Sequence, residues 1–159
     1  MKVDFYEKVW MGIAAVLIVA FLSAIIIAAG AQAIHPPSHQ ETINPEEVYD
    51  SEEFGSPGVE VGDDGSVRVT MVTEMFFFDP DEIVVPVGKP VTFRITSPDV
   101  IHGILVAGTN TNAMVIPGYV TEFTISFPRA GEYLMMCHEY CGILHHEMQG
   151  LVIVEEGGA

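Results

Sequence analysis

Hydrophobic and polar positions divide the chain into three stretches of different periodicity. From Val9 to Ile34 no charged residue occurs, and only Ser23 and Gln32 interrupt the run with polar side chains. At a rise of about 1.5 Å per residue, about 20 such residues cross the hydrocarbon layer of a bilayer. The run predicts a retained transmembrane helix, residues 9–34, after a short N-terminal segment, residues 1–8. A cleaved signal peptide is the competing reading, with Lys2 and Lys8 as its basic region and Ala29-Gly30-Ala31 as its cleavage site. Signal cores are shorter, about 7–15 residues, which favours the retained helix. Lys2 and Lys8 precede the run and no further lysine or arginine follows until Arg68. The positive-inside rule then predicts a cytoplasmic N-terminus and an extracytoplasmic remainder. Trp10 fits an interfacial anchor at the cytoplasmic end.

The second stretch, residues 35–66, loses the pattern. It reads HPPSHQETINPEEVYDSEEFGSPGVEVGDDGS, rich in proline, glycine and acids. This composition predicts an extended acidic linker with one short helix around Pro45–Tyr49. In the third stretch, residues 67–156, short runs with strand character recur between turns. They are 68–75, 82–87, 90–97, 101–108, 121–127, 132–137 and 151–156. In PVTFRITS, Val91, Phe93 and Ile95 share one face. Seven strands over about 90 residues predict an all-β fold, a two-sheet sandwich or Greek-key barrel. Residues 157–159 remain as a tail.

Charge narrows the function. The chain carries 22 acidic and 6 basic residues, a formal net charge of −16. A phosphate-binding surface needs the opposite sign, so nucleic acid is excluded as a partner. Nearly half the residues are hydrophobic (49%), which disordered acidic chains lack. The acids fit either a surface solvated at high salt or a docking face for a basic partner.

The chemistry is concentrated in CHEYCGILHHEM, residues 137–148. It holds both cysteines, three of the six histidines and a methionine. A disulfide between Cys137 and Cys141 would close a very small loop, gain little and leave the other residues unexplained. Zinc accepts cysteine and histidine, but its structural sites usually pair C-x₂₋₄-C with a second distant pair, and a thioether is a poor zinc ligand. Soft sulfur ligands together with imidazole suit copper best, with a weak methionine at electron-transfer sites. Two thiolates on one loop suggest sulfurs bridging two metal ions. A second imidazole must then come from elsewhere, and His102, at the start of the apolar run IHGILVAG, is the candidate. His138 and His146 adjoin Cys137 and His145 and are expected to point away.

These residues match a known family. FDPDEIVVPVGKPVTF, SPDVIHGILVAGTN, AGEYLMMC and CHEYCGILHHEMQG make the segment from about Arg68 to Glu155 similar to subunit II of haem–copper cytochrome c oxidases. The resemblance implies a cupredoxin-like domain outside the membrane with the dinuclear copper centre CuA. It implies Cys137 and Cys141 as bridging thiolates, His102 and His145 as terminal imidazoles, Met148 as a weak thioether ligand and the backbone carbonyl of Glu139 as a ligand to the other copper. All six positions are intact, whereas quinol-oxidising relatives have lost them. The single anchor helix is similar to B-type oxidases with a short subunit II, where a YEKxW motif recurs, here Tyr6 to Trp10. Glu7 then corresponds to a carboxylate at the mouth of a proton pathway, with a solvated charge as the plain alternative. Phe76, in the FFF run 76–78, is a candidate for receiving the electron, with core packing as its alternative. The resemblance further implies a haem-bearing subunit I, a small extra membrane subunit and an external donor, either a c-type cytochrome or a small blue-copper protein. A membrane-tethered copper chaperone and a metal-free structural subunit are the rival functions. Asp99, three residues before His102, is expected either to hold that imidazole or to form a turn.

Overall fold

The computed structural model describes residues 4–31 and 41–156. It comprises two compact units, an N-terminal helix and a β domain.

Helix α1 spans Phe5–Ala31. It begins at Phe5 rather than at the expected Val9, because Asp4 and Glu7 build an N-terminal cap. The Tyr6 N–H donates to Asp4 Oδ1 (3.3 Å), and the Asp4 N–H donates to Glu7 Oε2 (3.0 Å). That reciprocal pair satisfies two of the N–H groups a helix start leaves orphaned. Beyond it the helix has no polar face, and its segment Phe5–Ala28 is long and apolar enough to cross a membrane. The predicted end at residues 32–34, the start of the linker at 35–40, residues 1–3 and the tail 157–159 lie outside the described residues.

Among the described residues the β domain has eleven strands in two sheets. They are β1 (Glu41–Thr42), β2 (Gly58–Val61), β3 (Val67–Glu74), β4 (Phe77–Asp79), β5 (Glu82–Pro86), β6 (Pro90–Thr96), β7 (His102–Val106), β8 (Asn112–Val115), β9 (Tyr119–Ser126), β10 (Gly131–Met136) and β11 (Gln149–Glu155). The first sheet runs β1-β9-β6-β3-β2 with β4 attached to β3, and the second runs β5-β11-β10-β7-β8. Pairing is antiparallel except for β3 with β6 and β5 with β11. The chain changes sheet between β4 and β5, β5 and β6, β6 and β7, β8 and β9, and β9 and β10, so every crossover wraps the same core.

That core follows from alternation. Val67, Val69 and Met71 of β3 and Val91, Phe93 and Ile95 of β6 face Ile83 and Val85 of β5, Ile104 and Val106 of β7, Met135 of β10, and Val152 and Val154 of β11. All seven predicted strands are present with ends shifted by up to two residues. The four others, β1, β2, β4 and β8, have only two to four residues each, too few for a period of two to register.

The expected linker requires correction. From Glu41 on, 26 of its 32 residues, it is part of the folded domain. β1 pairs with β9, and β2 pairs with β3. Between them Pro45–Asp50 forms a 3₁₀ helix capped by the Asn44 side chain, which accepts from the Glu46 N–H at 3.2 Å. Val48 and Phe54 are each only 1% exposed, packed with Val72 and Val120 on the outer face of the first sheet. Arg94 of β6 reaches out from the same face to Glu41 (2.8 Å), Glu122 (2.6 Å) and Glu53. The predicted short helix is therefore present, but as one piece of a packed cover.

Candidate metal centre

Three chain segments converge at one end of the sandwich. His102 opens β7 and is fully buried. Cys137 directly follows β10, and its N–H donates to the Met148 carbonyl (3.1 Å), so the loop leaves and returns at neighbouring points of the β10–β11 ladder. Inside the loop the His145 N–H donates to the Gly142 carbonyl (3.1 Å), and His145–Glu147 forms a single 3₁₀ turn. This turn brings Met148 back toward the sulfurs.

The ligand atoms of His102, Cys137 and Cys141 lie within 4.8 Å of one another, and all three residues are buried. Cys141 Sγ is 3.6 Å from His145 Nδ1 and 3.7 Å from Met148 Sδ. Cys137 Sγ lies 3.2 Å from the Glu139 carbonyl oxygen. All six residues singled out from the sequence thus meet in one cluster. His138 and His146 stay outside it. His138 Nε2 is 3.2 Å from the Ala113 carbonyl, and His146 lies beside Glu147, 69% exposed.

Asp99 combines a turn with a contact to the imidazole. Its Oδ1 is 2.8 Å from His102 Nε2 and accepts from the Val100 N–H (2.5 Å) and Ser97 hydroxyl (2.9 Å). Its Oδ2 accepts from the Met75 N–H at 2.7 Å. Burial alone would raise its pKa, but the hydrogen bonds from His102, Met75, Val100 and Ser97 outweigh it and hold the carboxyl below the usual range. With Nε2 engaged, His102 is left with a buried Nδ1 that has no hydrogen-bond partner. Buried polar nitrogens are rarely left so, and the residue that carries this one is grouped with both sulfurs. An imidazole whose far nitrogen is held by a carboxylate is the usual arrangement at metal sites. Burial, followed by the neighbouring Cys137 sulfur, pushes the Cys141 thiol up to about 11. Thiolate there needs the charge of a cation. The donor set of two thiols, two imidazoles, a thioether and a carbonyl suits copper better than any hard ion.

Two glycines shape the surroundings, and their reason was not visible in the sequence. A Cβ on Gly103 would lie 2.5 Å from the His138 ring, so the glycine after His102 leaves room for the side chain after Cys137. Gly142 sits at φ +139°, and a Cβ there would lie 2.7 Å from the Phe76 ring. Phe76 is half-buried and packs on the core cluster, which includes Cys137, Cys141 and Met148. The ring of Tyr140 meets that of His145 edge-on, with centroids 5.9 Å apart. Glu7 is part of the separate helix, where its carboxylate is engaged in the cap.

A two-sheet β domain with a buried cysteine–histidine–methionine cluster at one end is a cupredoxin-like, copper-binding type of domain, here preceded by one apolar helix. Residues 64–156 match the family described as cytochrome c oxidase subunit II, periplasmic domain. A cytochrome c oxidase subunit 2 of Thermus thermophilus is 36% identical over 155 residues, covering 95% of this chain and 92% of that one. A solved structure of a heme-copper terminal oxidase dimer contains a chain 35% identical to this one, with a TM-score of 0.76 over 94% of this chain and 99% of its own. The periplasmic domain of subunit II from Bradyrhizobium japonicum shares the fold at 20% identity, with a TM-score of 0.53 over 64% of this chain and 88% of its own. The chain belongs to the cytochrome c oxidase subunit II family. It is a subunit of a haem–copper oxidase, and an electron-transfer role follows from the family.

Proposed function

We propose that this subunit accepts electrons one at a time from an external redox protein and passes them to the haems of subunit I, where oxygen is reduced to water. Two copper ions would be held as a CuA centre by His102, Cys137, Cys141, His145, Met148 and the Glu139 carbonyl. Such a pair supplies a one-electron couple shared between two metals, with little change of geometry. The protein's part is to keep the donors fixed. Asp99 orients His102, the 3₁₀ turn sets His145 and Met148, and the β10–β11 ladder closes the loop. The observation that carries this reading is His102, buried and grouped with both sulfurs, with its Nε2 on Asp99 and its Nδ1 without a hydrogen-bond partner among the described residues. A chaperone that releases copper would need exposed, exchangeable ligands instead.

The anchor helix would cross the membrane once, in contact with lipid, with its N-terminus in the cytoplasm, the β domain outside and a small extra membrane subunit nearby. Glu7 would lie at the mouth of a proton pathway into subunit I. Its capping bond to Asp4 gives it a structural task as well. Phe76 would receive the electron or simply support the loop. The donor would be a c-type cytochrome or a small blue-copper protein. The test is a copper count with an EPR spectrum of the copper-loaded protein. Two coppers per chain sharing one unpaired electron are expected. One labile cuprous ion would overturn the reading in favour of a chaperone.

A further inference from the structure

His138 lies outside the ligand cluster, yet its ring is held as a ligand's would be. The β7–β10 register pairs Met135 with Val106 and Met136 with Leu105. Continued by two residues, it sets His138 opposite Gly103, which pairs on its other side with Met114 of β8. Ile104, Val115 and Met135 point into the core, so by alternation Gly103, Met114, Met136 and His138 lie on the outer face of the second sheet. Gly103 leaves a gap there, and the His138 ring fills it, 2.5 Å from where a Cβ would stand. The ring reaches across to β8, where Nε2 is 3.2 Å from the Ala113 carbonyl. A carbonyl only accepts, so Nε2 carries the proton and Nδ1 keeps its lone pair. Nδ1 makes no hydrogen bond among the described residues. Metal-ligating imidazoles are usually fixed in this way, with the other ring N–H on a carbonyl or carboxylate. The neighbouring positions on this face are thioethers, Met114 at 40% exposure and the half-buried Met136. Leu105 and Leu134 share the face, so methionine there would mean little by itself. An exposed imidazole with a fixed tautomer between two thioethers is what apolar packing does not explain.

We propose that His138, Met114 and Met136 form a surface site for a cuprous ion, where copper lands before it enters the buried centre. This rests on the copper-centre reading given above. Imidazole and thioether are soft, neutral donors, and they select Cu(I) over calcium or magnesium. Methionine has three rotatable bonds, so its sulfur can follow an ion. Neutral donors hold Cu(I) less tightly than thiolates do, so onward movement is downhill. Cys137 is the next residue to His138 and is 8% exposed, which makes its sulfur the first acceptor. In that step a bond from copper to Cys137 Sγ forms and the bonds to the surface donors break. The thiol proton passes to water, and the copper stays cuprous throughout. The surface site thus gives the ion soft ligands at each stage of its path.

The experiment uses the metal-free full chain in detergent, under anaerobic reducing conditions, with Cu(I) supplied against the chelator bicinchoninate. The wild type should take three ions per chain, two in the centre and one on the surface. As the third is added, the methyl NMR signals of Met114 and Met136 should move, while that of Met75, which is exposed elsewhere, stays in place. Met114→Leu and Met136→Leu keep size and apolarity, so the fold should stand. Each should weaken the third ion by at least about tenfold, the smallest loss usual even for an outer partner of a metal site. With limiting Cu(I) and subsequent oxidation by ferricyanide, each should also slow the appearance of the two-copper spectrum, which at saturation should equal the wild type's. His138→Asn should do the same. A wild type that stops at two ions overturns the proposal. So does copper loading at the wild-type rate in all three variants, or a third ion that leaves the signals of Met114 and Met136 in place. Failure of the copper-centre reading looks different: no two-copper spectrum then forms in the wild type at any copper level, and delivery falls with it. Failure of the surface site alone leaves that spectrum normal and the count at two.

Discussion

The loop from Cys137 to Met148 and the segment from Glu41 to Phe54 are both irregular chain laid on the same sandwich, and they are held in opposite ways. The loop is organised inward around polar and sulfur atoms, with Sγ–Sδ and Sγ–Nδ1 separations of 3.7 and 3.6 Å inside it. The segment is held by two apolar side chains driven into the outer face of the first sheet and by one arginine that reaches three glutamates. The loop's fixed points are chemical, and they lie close together in sequence. The segment's are distant, since Phe54 meets Val72 and Val120 and Glu53 meets Arg94. The difference predicts that damage to one should leave the other standing.

Replacing Cys141 by Ser should have the largest effect. It removes the sulfur that touches both His145 and Met148. The two-copper EPR and optical spectrum should disappear entirely, while the thermal unfolding of the β domain changes little. A retained spectrum would falsify the bridging role of this thiol.

Phe54→Ala attacks the other region. The side chain is 1% exposed, and deleting a buried phenylalanine ring costs about 3–5 kcal/mol. Denaturant unfolding should show a loss of that order, with the copper spectrum of the folded protein intact. A stability loss below about 1 kcal/mol would mean that the segment is not part of the folded unit.

This contrast also explains what could be read in advance. Five residues of the candidate centre were legible because metal chemistry restricts them to a few side-chain types, and four of these lie within one dodecamer; Glu139, which offers a backbone carbonyl, was reached only through the resemblance. The seven longer strands were legible because each runs long enough to show alternation, as Val91, Phe93 and Ile95 do. The 41–54 cover was not. It buries only Val48 and Phe54 amid acids and prolines, and its partners Val72 and Val120 lie on strands far along the chain. Gly103 was visible only as part of a motif. Its reason, the His138 ring that takes the space of a side chain, depends on a β7 neighbour that no local pattern reveals.

Asp99→Ala tests a link between the loop and the sheet that carries the cover. The carboxylate joins the N–H of Met75, just past β3, to His102 Nε2. Losing such an outer partner of a metal-bound imidazole typically weakens metal retention about 10–100-fold. A chelator competition should read that loss, and the reduction potential should shift with it. Asp99→Asn should recover part of both, because its carbonyl can still accept from His102. Equal copper retention in wild type and Asp99→Ala would show that His102 is oriented without it.

The smallest expected effect is at Arg94, and it separates charge from packing in the cover. The guanidinium is 13% exposed, whereas Glu41 and Glu122 are 53% and 55% exposed. Solvent therefore screens much of each pair, and the net contribution should fall well below that of a fully buried bridge. Arg94→Met preserves the apolar stem but leaves three carboxylates side by side. The expected loss is about 1–2 kcal/mol at low ionic strength. Salt acts in opposite directions on the two proteins. It weakens the wild-type attractions and relieves the variant's repulsions, so the gap should narrow as ionic strength approaches about 1 M, where the screening length is about 3 Å. Hydrogen exchange over residues 41–54 should rise in the variant, and the copper spectrum should not change. A gap independent of salt would assign Arg94's contribution to its hydrocarbon stem. The cover would then be held by apolar contact alone, and its difference from the metal loop would be complete.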